Sequence, residues 1–223
     1  MMKIATWNVE RPSDSSKTRN AKIIDALKEV DADILILTET NAIIHPGDEY
    51  SPFATTSLLL LYESYYKVDE NRTTIWSKYA ASQYLETYDG FTSICTGIKT
   101  PLGDLNVYGT VIGIHGNRRE SFDADLNKQI GDWKRICAGG NICVAGDFNI
   151  SFGDNYYYTK DGRQKINDCF NELKIENMTE RIPENIDHIA ISMSFLKSLK
   201  PVTSVWNQDK KLSDHIGVCV TLV

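Results

Sequence analysis

Nine apolar runs rich in β-branched and aromatic residues recur along the chain, at residues 3–7, 34–37, 57–62, 73–76, 92–98, 105–112, 142–145, 186–191 and 217–223. All are of strand length, so the chain is rich in sheet. Three stretches carry apolar residues at helical spacing instead: Ile23, Ile24, Leu27 and Val30; Phe122, Leu126, Ile130, Trp133 and Cys137; and Ile166, Cys169, Phe170 and Leu173. A helix with one apolar stripe has one face to bury, and the strands supply another. The economical arrangement packs helices outside two sheets that pack on each other. The expected fold class is therefore α/β, a four-layer sandwich of two packed, mainly antiparallel β-sheets flanked by helices. Thr100-Pro101-Leu102-Gly103-Asp104, between two of the runs, has the punctuation of a hairpin loop. No repeat, low-complexity tract or Gly/Ser linker divides the 223 residues, and a single domain spanning 1–223 is expected.

Charge narrows the partners. With 24 Lys plus Arg against 30 Asp plus Glu, the net charge is −6, which excludes a strongly basic nucleic-acid coat. A local basic groove, or a metal ion that the count omits, still permits a nucleic-acid contact. No run approaches the 18 or so apolar residues that would span a bilayer, so membrane insertion is not expected. Polar Asn8 and Glu10 interrupt the N-terminal run before a signal-peptide core could form, and a cytoplasmic location is the expectation. Five cysteines form no CxxC pair, which suits reduced, mostly buried thiols better than a disulfide framework or a zinc site.

Polar residues cluster at the ends of the expected strands, where a sheet presents side chains to a shared edge. They are Trp7-Asn8, Glu39, Asp147 and Asn149, Asp187-His188, and Asp214-His215. Carboxylates are hard oxygen ligands suited to Mg²⁺ or Mn²⁺, which take a few protein oxygens and complete their shell with water and substrate phosphate. The inventory reads as a hydrolytic metal site. Each residue also has an ordinary role open to it: the asparagines as turn caps, Glu39 as a solvated strand end, Asp147 as a turn brace, and Asp214-His215 as surface punctuation.

At these residues the sequence resembles the endonuclease/exonuclease/phosphatase superfamily, which includes pancreatic deoxyribonuclease, abasic-site endonucleases, neutral sphingomyelinases and inositol polyphosphate phosphatases. The matching elements run in the family's order over nearly the whole chain: Thr6-Trp7-Asn8, Glu39 after Asp33-Ile34-Leu35-Ile36-Leu37, Ile75-Trp76-Ser77-Lys78, Val107-Tyr108-Gly109-Thr110, Gly146-Asp147-Phe148-Asn149, Ile186-Asp187-His188-Ile189 and Leu212-Ser213-Asp214-His215. The resemblance implies the same four-layer sandwich, with the active site at one edge of the paired sheets. It also implies Mg²⁺, with Mn²⁺ as a substitute, held mainly by Glu39 with Asn8 and Asp214 in support. Asp147 would position or activate the attacking water, and Asn149 would donate to a phosphate oxygen. His215, its ring held by Asp187, would contact the scissile phosphate or move a proton.

Departures from the family pattern bear on the substrate. Many members place His or Asn three residues after the tyrosine of the Tyr108 strand, where this chain has Val111. His115 could supply that donor or stand as a surface histidine, and Tyr108 could contact phosphate or belong to the core. Thr38-Glu39-Thr40-Asn41 and Asp187-His188 depart from the abasic-site pattern, and the short interval from Thr179 to Ile186 leaves no room for the recognition inserts of inositol phosphatases. Arg118 and Arg119 are expected to grip substrate phosphate and Tyr156, Tyr157 and Tyr158 to stack on bases, with solvated arginines and locally packed tyrosines as the alternative. The leading expectation is a divalent-metal-dependent phosphodiesterase, an endonuclease cutting DNA or RNA. A phosphoesterase for phosphoinositide, sphingomyelin or another small phosphate ester is the first alternative, and a non-catalytic binding module on the same fold is the second.

Overall fold

A computed structural model describes residues 1–61, 65–113, 121–157, 159–197 and 199–223. Strand β1 (Met2–Asn8), helix α1 (Lys17–Val30) and strands β2 (Ile34–Asn41), β3 (Ser51–Ala54), β4 (Glu70–Ser77), β5 (Ala81–Leu85), β6 (Ser93–Thr100) and β7 (Gly103–Val111) come first. Helix α2 (Phe122–Cys137), β8 (Ile142–Asp147), α3 (Lys160–Leu173), β9 (Ile175–Asn177), β10 (Asp187–Ser192), the short α4 (Met193–Leu196), β11 (Pro201–Trp206) and β12 (Gly217–Leu222) follow.

Among the described residues the strands form two six-stranded sheets, ordered β11-β12-β1-β2-β4-β3 and β5-β6-β7-β8-β10-β9. Within each sheet one neighbouring pair is parallel, β1 with β2 and β7 with β8, and the others are antiparallel. Parallel neighbours need a crossover, and α1 and α2 are those crossovers.

Alternation along the strands builds the layers. In β2, Ile34 and Ile36 face the other sheet while Leu35 and Leu37 face α1. In β8, Cys143 and Ala145 join the inter-sheet core and Ile142 and Val144 pack under α2 and α3. A two-residue period thus feeds the inner layer and an outer layer from each strand, and the four-layer sandwich follows. Gly109 marks a close approach of the sheets, because a Cβ there would stand 2.8 Å from Thr73 Cγ2. All five cysteines are free thiols, and Cys95, Cys143, Cys169 and Cys219 are buried. Among the described residues no helix is long and apolar enough to cross a membrane.

The three helical stripes and the hairpin at Thr100 stand where the sequence puts them. Two features depart from expectation. Residues 57–62 are not a strand over their described part: Leu58–Leu60 is a 3₁₀ turn closed by local bonds from Leu60 N to Ser57 O and from Leu61 N to Leu58 O. Leu58 is buried but Leu60 is 75% exposed, so the run is not the covered strand its composition suggests. In addition, β3, β5, β9 and β11 coincide with no apolar run. These four are the outer strands of the two sheets and are largely solvated, so nothing requires an apolar alternation in them.

Candidate active site

The polar strand ends converge because the sheets bring the last residues of β1, β2 and β8 to the edge where β10 begins and β12 is entered. Two local devices set the angles. Gly146 has φ +136°, and a Cβ there would lie 1.9 Å from Thr110 O, so glycine lets β8 bend against β7 just before Asp147. Thr38 pairs with Thr73 and Thr40 with Asn71, so Glu39 stands opposite Arg72, and its φ of +47° is outside the ordinary strand conformation.

Asp187 and Asp147 are cross-strand partners in β10 and β8, so two buried carboxylates face each other at the sheet edge. His215 relieves that repulsion: its Nδ1 donates to Asp187 Oδ2 at 2.6 Å. Burial opposes charge on the imidazole, but Asp187, Asp147 and Asp214 outweigh it and raise the ring to about 10. Asp147 accepts from Asn8 Nδ2 at 3.1 Å and from Asn149 N at 2.9 Å. Burial first, then the neighbouring Asp187, push its carboxyl well above the usual range, against the pull of His215 and these hydrogen bonds. Asn149, with φ +52°, spends one amide hydrogen on Ile112 O at 2.8 Å and still lines the cleft in front of His215.

Glu39 approaches Arg72 Nη1 at 3.5 Å. Burial pushes the Glu39 carboxyl up and Asp214 adds to the push, while Arg72, His215 and Arg11 pull it back. Asp214 is exposed, with Oδ1 3.6 Å from His215 Nε2. Ligand atoms of Asp147, Asp187 and His215 all lie within 4.8 Å of one another, but the short Nδ1 to Asp187 contact is a hydrogen bond and occupies that imidazole nitrogen. The donors left for a cation are oxygens: the Glu39 and Asp214 carboxylates, the Asn8 amide oxygen, which already accepts from Glu10 N, and Asp187 Oδ1, a buried oxygen without a hydrogen-bond partner among the described residues. Oxygen donors that include the buried Asp187, the largely desolvated Glu39 and the exposed Asp214 fit a hard divalent cation such as Mg²⁺ or Mn²⁺.

A cleft of about 240 Å³ opens on this edge, lined by Asn149, Tyr156, Tyr157, Glu184, Lys210 and His215 among others. Tyr156 and Tyr157 are half exposed. Lys210 Nζ donates to the Tyr156 hydroxyl at 3.0 Å and lies 3.8 Å from Glu184 Oε2. Neither Lys210 nor Arg72 was marked by any sequence signal, since each is an ordinary charge among other charged residues of a polar loop or strand end and acquires meaning only from its neighbours in the fold.

Tyr108 does not belong to the site. It is fully buried on the outer face of β7, edge-on to Trp133, and its hydroxyl donates to Asp132 Oδ2 at 3.1 Å. Residue 107 faces the inner layer, so residue 108 must face α2. Val111, where many family members carry a phosphate donor, is fully buried as well. Arg118, Arg119, His115 and Tyr158 lie outside the described residues.

His188, next to Asp187, is a core residue. Its Nε2 donates to Ile150 O at 2.9 Å, so Nδ1 is the acceptor facing Thr179 Oγ1 at 3.0 Å. Burial lowers it from 6.5 to about 4. The unfolded chain therefore binds the proton first, and this residue's stabilisation is complete above about pH 6.5 and lost as pH falls towards 4. The loss amounts to about 3 kcal/mol. Thermal unfolding of wild type and His188→Gln across this window should give curves whose separation changes with that slope. Asp147 acts in the opposite sense there, so the difference between the two proteins is the quantity to read. A separation independent of pH would refute the buried neutral assignment.

Comparison with known proteins bears on the fold and on the family. The endonuclease domain of TRAS1, a telomere-specific non-LTR retrotransposon, superposes with a TM-score of 0.71 at 15% identity, covering 100% of this chain and 98% of that one. An endonuclease/exonuclease/phosphatase family protein from Leptotrichia buccalis gives 0.69 at 14% identity, with both chains fully covered. Truncated TDP2 from Caenorhabditis elegans gives 0.67 at 14% identity, covering 99% and 97%. No curated protein matches by sequence. At such identities the superpositions establish the fold, and membership rests on the family model, which matches residues 5–215 and so takes in every strand end of the site from Asn8 to His215: the chain belongs to the endonuclease/exonuclease/phosphatase family.

Proposed function

We propose that this protein is a divalent-metal-dependent phosphodiesterase that cuts DNA or RNA as an endonuclease. The observation that carries this reading is the Asp187–His215 pair, whose 2.6 Å bond leaves Nε2 of a positively charged ring beside the cleft. Glu39, with Asn8 and Asp214, would hold Mg²⁺. When bound, the ion neutralises charge developing on the phosphate and the leaving oxygen.

The chain's own groups account for the rest. Asp147, held by Asn8 and Asn149 and raised by burial, accepts a proton from water as the water oxygen bonds to phosphorus. The bond from phosphorus to the leaving oxygen breaks, and that oxygen takes its proton from solvent or from His215. The imidazolium and the second amide hydrogen of Asn149 donate to the phosphate oxygens, where charge accumulates. Asp187 keeps the ring in one orientation and favours its charged form. A nucleic-acid substrate is supported by the half-exposed Tyr156 and Tyr157 and the Lys210 ammonium around the cleft, which offer rings to bases and a cation to a neighbouring phosphate.

The test is a panel of plasmid DNA, single-stranded DNA, RNA, phosphoinositides and sphingomyelin with Mg²⁺ across a salt series. Strand cleavage that weakens with salt is expected, with a shallow slope because the net charge of −6 limits the footprint. Replacing both Arg118 and Arg119 by alanine should weaken binding about equally for all sequences and flatten that slope. Robust hydrolysis of a small phosphate ester without strand cleavage would replace the nuclease by a small-substrate phosphoesterase, and no hydrolysis of any member would leave a binding module.

A further inference from the structure

The segment that carries Asp214 and His215 is an exposed connection between β11 and β12, yet His215 must be held to within a few tenths of an ångström of its partner for a 2.6 Å bond. One side chain ties three of its backbone groups at once. Asn207, the residue after β11, sits in the left-handed region at φ +52°, and its Nδ2 donates to Ser213 O at 2.9 Å and to His215 O at 2.7 Å. Its Oδ1 accepts from Leu212 N at 3.1 Å. A single amide thus satisfies three backbone groups of residues 212–215, and its own carbonyl accepts from Lys210 N at 2.9 Å. The far side of the segment is tied to β1: Trp7 Nε1 donates to His215 O at 3.1 Å, and Ser213 Oγ donates to Asn8 O at 2.7 Å.

We infer that Asn207 is the positioning residue of this site, setting residues 210–215 so that the Lys210 ammonium and the His215 imidazole face the same cleft in fixed register. The inference rests on the hydrolytic reading above. Asparagine suits the position doubly: it tolerates the left-handed backbone and it offers a donor and an acceptor on one short stem. Aspartate keeps the backbone preference and the bond from Leu212 N but sets a carboxylate against two carbonyl oxygens. Glycine keeps the backbone freedom and removes the clamp.

The decisive measurement is proton NMR of the deshielded His215 Nδ1–H, together with steady-state kinetics on an oligonucleotide with Mg²⁺. N207G and N207D are both expected to weaken or broaden that resonance and to lower kcat about a hundredfold, the scale of a misplacement near 1 Å. K210A should raise KM and leave the resonance where it is. N207D guards against a fold defect in N207G, since it retains the Leu212 tie. An unchanged Nδ1–H resonance with unchanged kcat in either folded variant would overturn the inference. If wild type cleaves no phosphodiester, the functional reading fails, while the resonance still decides whether Asn207 sets the imidazole.

Discussion

Replacing His215 by alanine is expected to lower turnover at least about a hundredfold, the scale of losing a positioned acid-base or electrostatic group. Asp147→Asn should cost as much, because an amide in that place cannot take the proton of the attacking water. The two substitutions differ in what they do to the fold. Loss of the imidazole strands Asp187, a buried carboxylate with one oxygen already lacking a partner among the described residues, opposite Asp147. His215→Ala should therefore also lower the melting temperature, as an uncompensated buried charge does. His215→Gln keeps a donor on that side and should recover much of the stability while remaining as slow. Asp147→Asn removes one of two facing carboxylates and should be neutral or stabilising. Rates measured beside circular dichroism and melting curves separate these effects, and folded variants with normal turnover would move the reaction elsewhere.

Chelation should abolish activity, and Mg²⁺ or Mn²⁺ should restore it, since the donors at Glu39, Asn8 and Asp214 are hard oxygens. Glu39→Gln is the informative variant. It removes the charge that burial and Asp214 push against, and it leaves the Arg72 guanidinium without its carboxylate partner. Activity at low metal should fall at least about tenfold and be partly recovered by raising the metal concentration, as expected when a ligand rather than a proton-handling group is lost. Calorimetric titration with Mn²⁺ should report the weaker binding directly. Undiminished turnover in excess chelator would remove the metal from the reaction altogether.

How much of this was legible in the sequence depends on the range over which each residue acts. Local periodicity is written in neighbouring side chains, so the three helical stripes, most of the central strands and the two-sheet sandwich can be read without coordinates. Asn8, Glu39, Asp147, Asn149, Asp187 and His215 stand out because polar residues closing apolar runs are conspicuous, and their order along the chain carries the family resemblance. Parity also speaks: Val107 faces the inner core, and this turns Tyr108 towards α2, a consequence open to sequence reasoning but outweighed by the motif around it. The four edge strands left no trace, because strands largely open to solvent owe little to hydrophobic alternation. Arg72, Lys210 and Asn207 escaped for a different reason. An arginine, a lysine and an asparagine in polar surroundings are ordinary, and only the folded chain sets Arg72 across from Glu39, Lys210 on the cleft and Asn207 beneath the carbonyls of Ser213 and His215. Burial patterns are encoded residue by residue, whereas hydrogen bonds and ion pairs between distant segments come into being when the sheets close on each other.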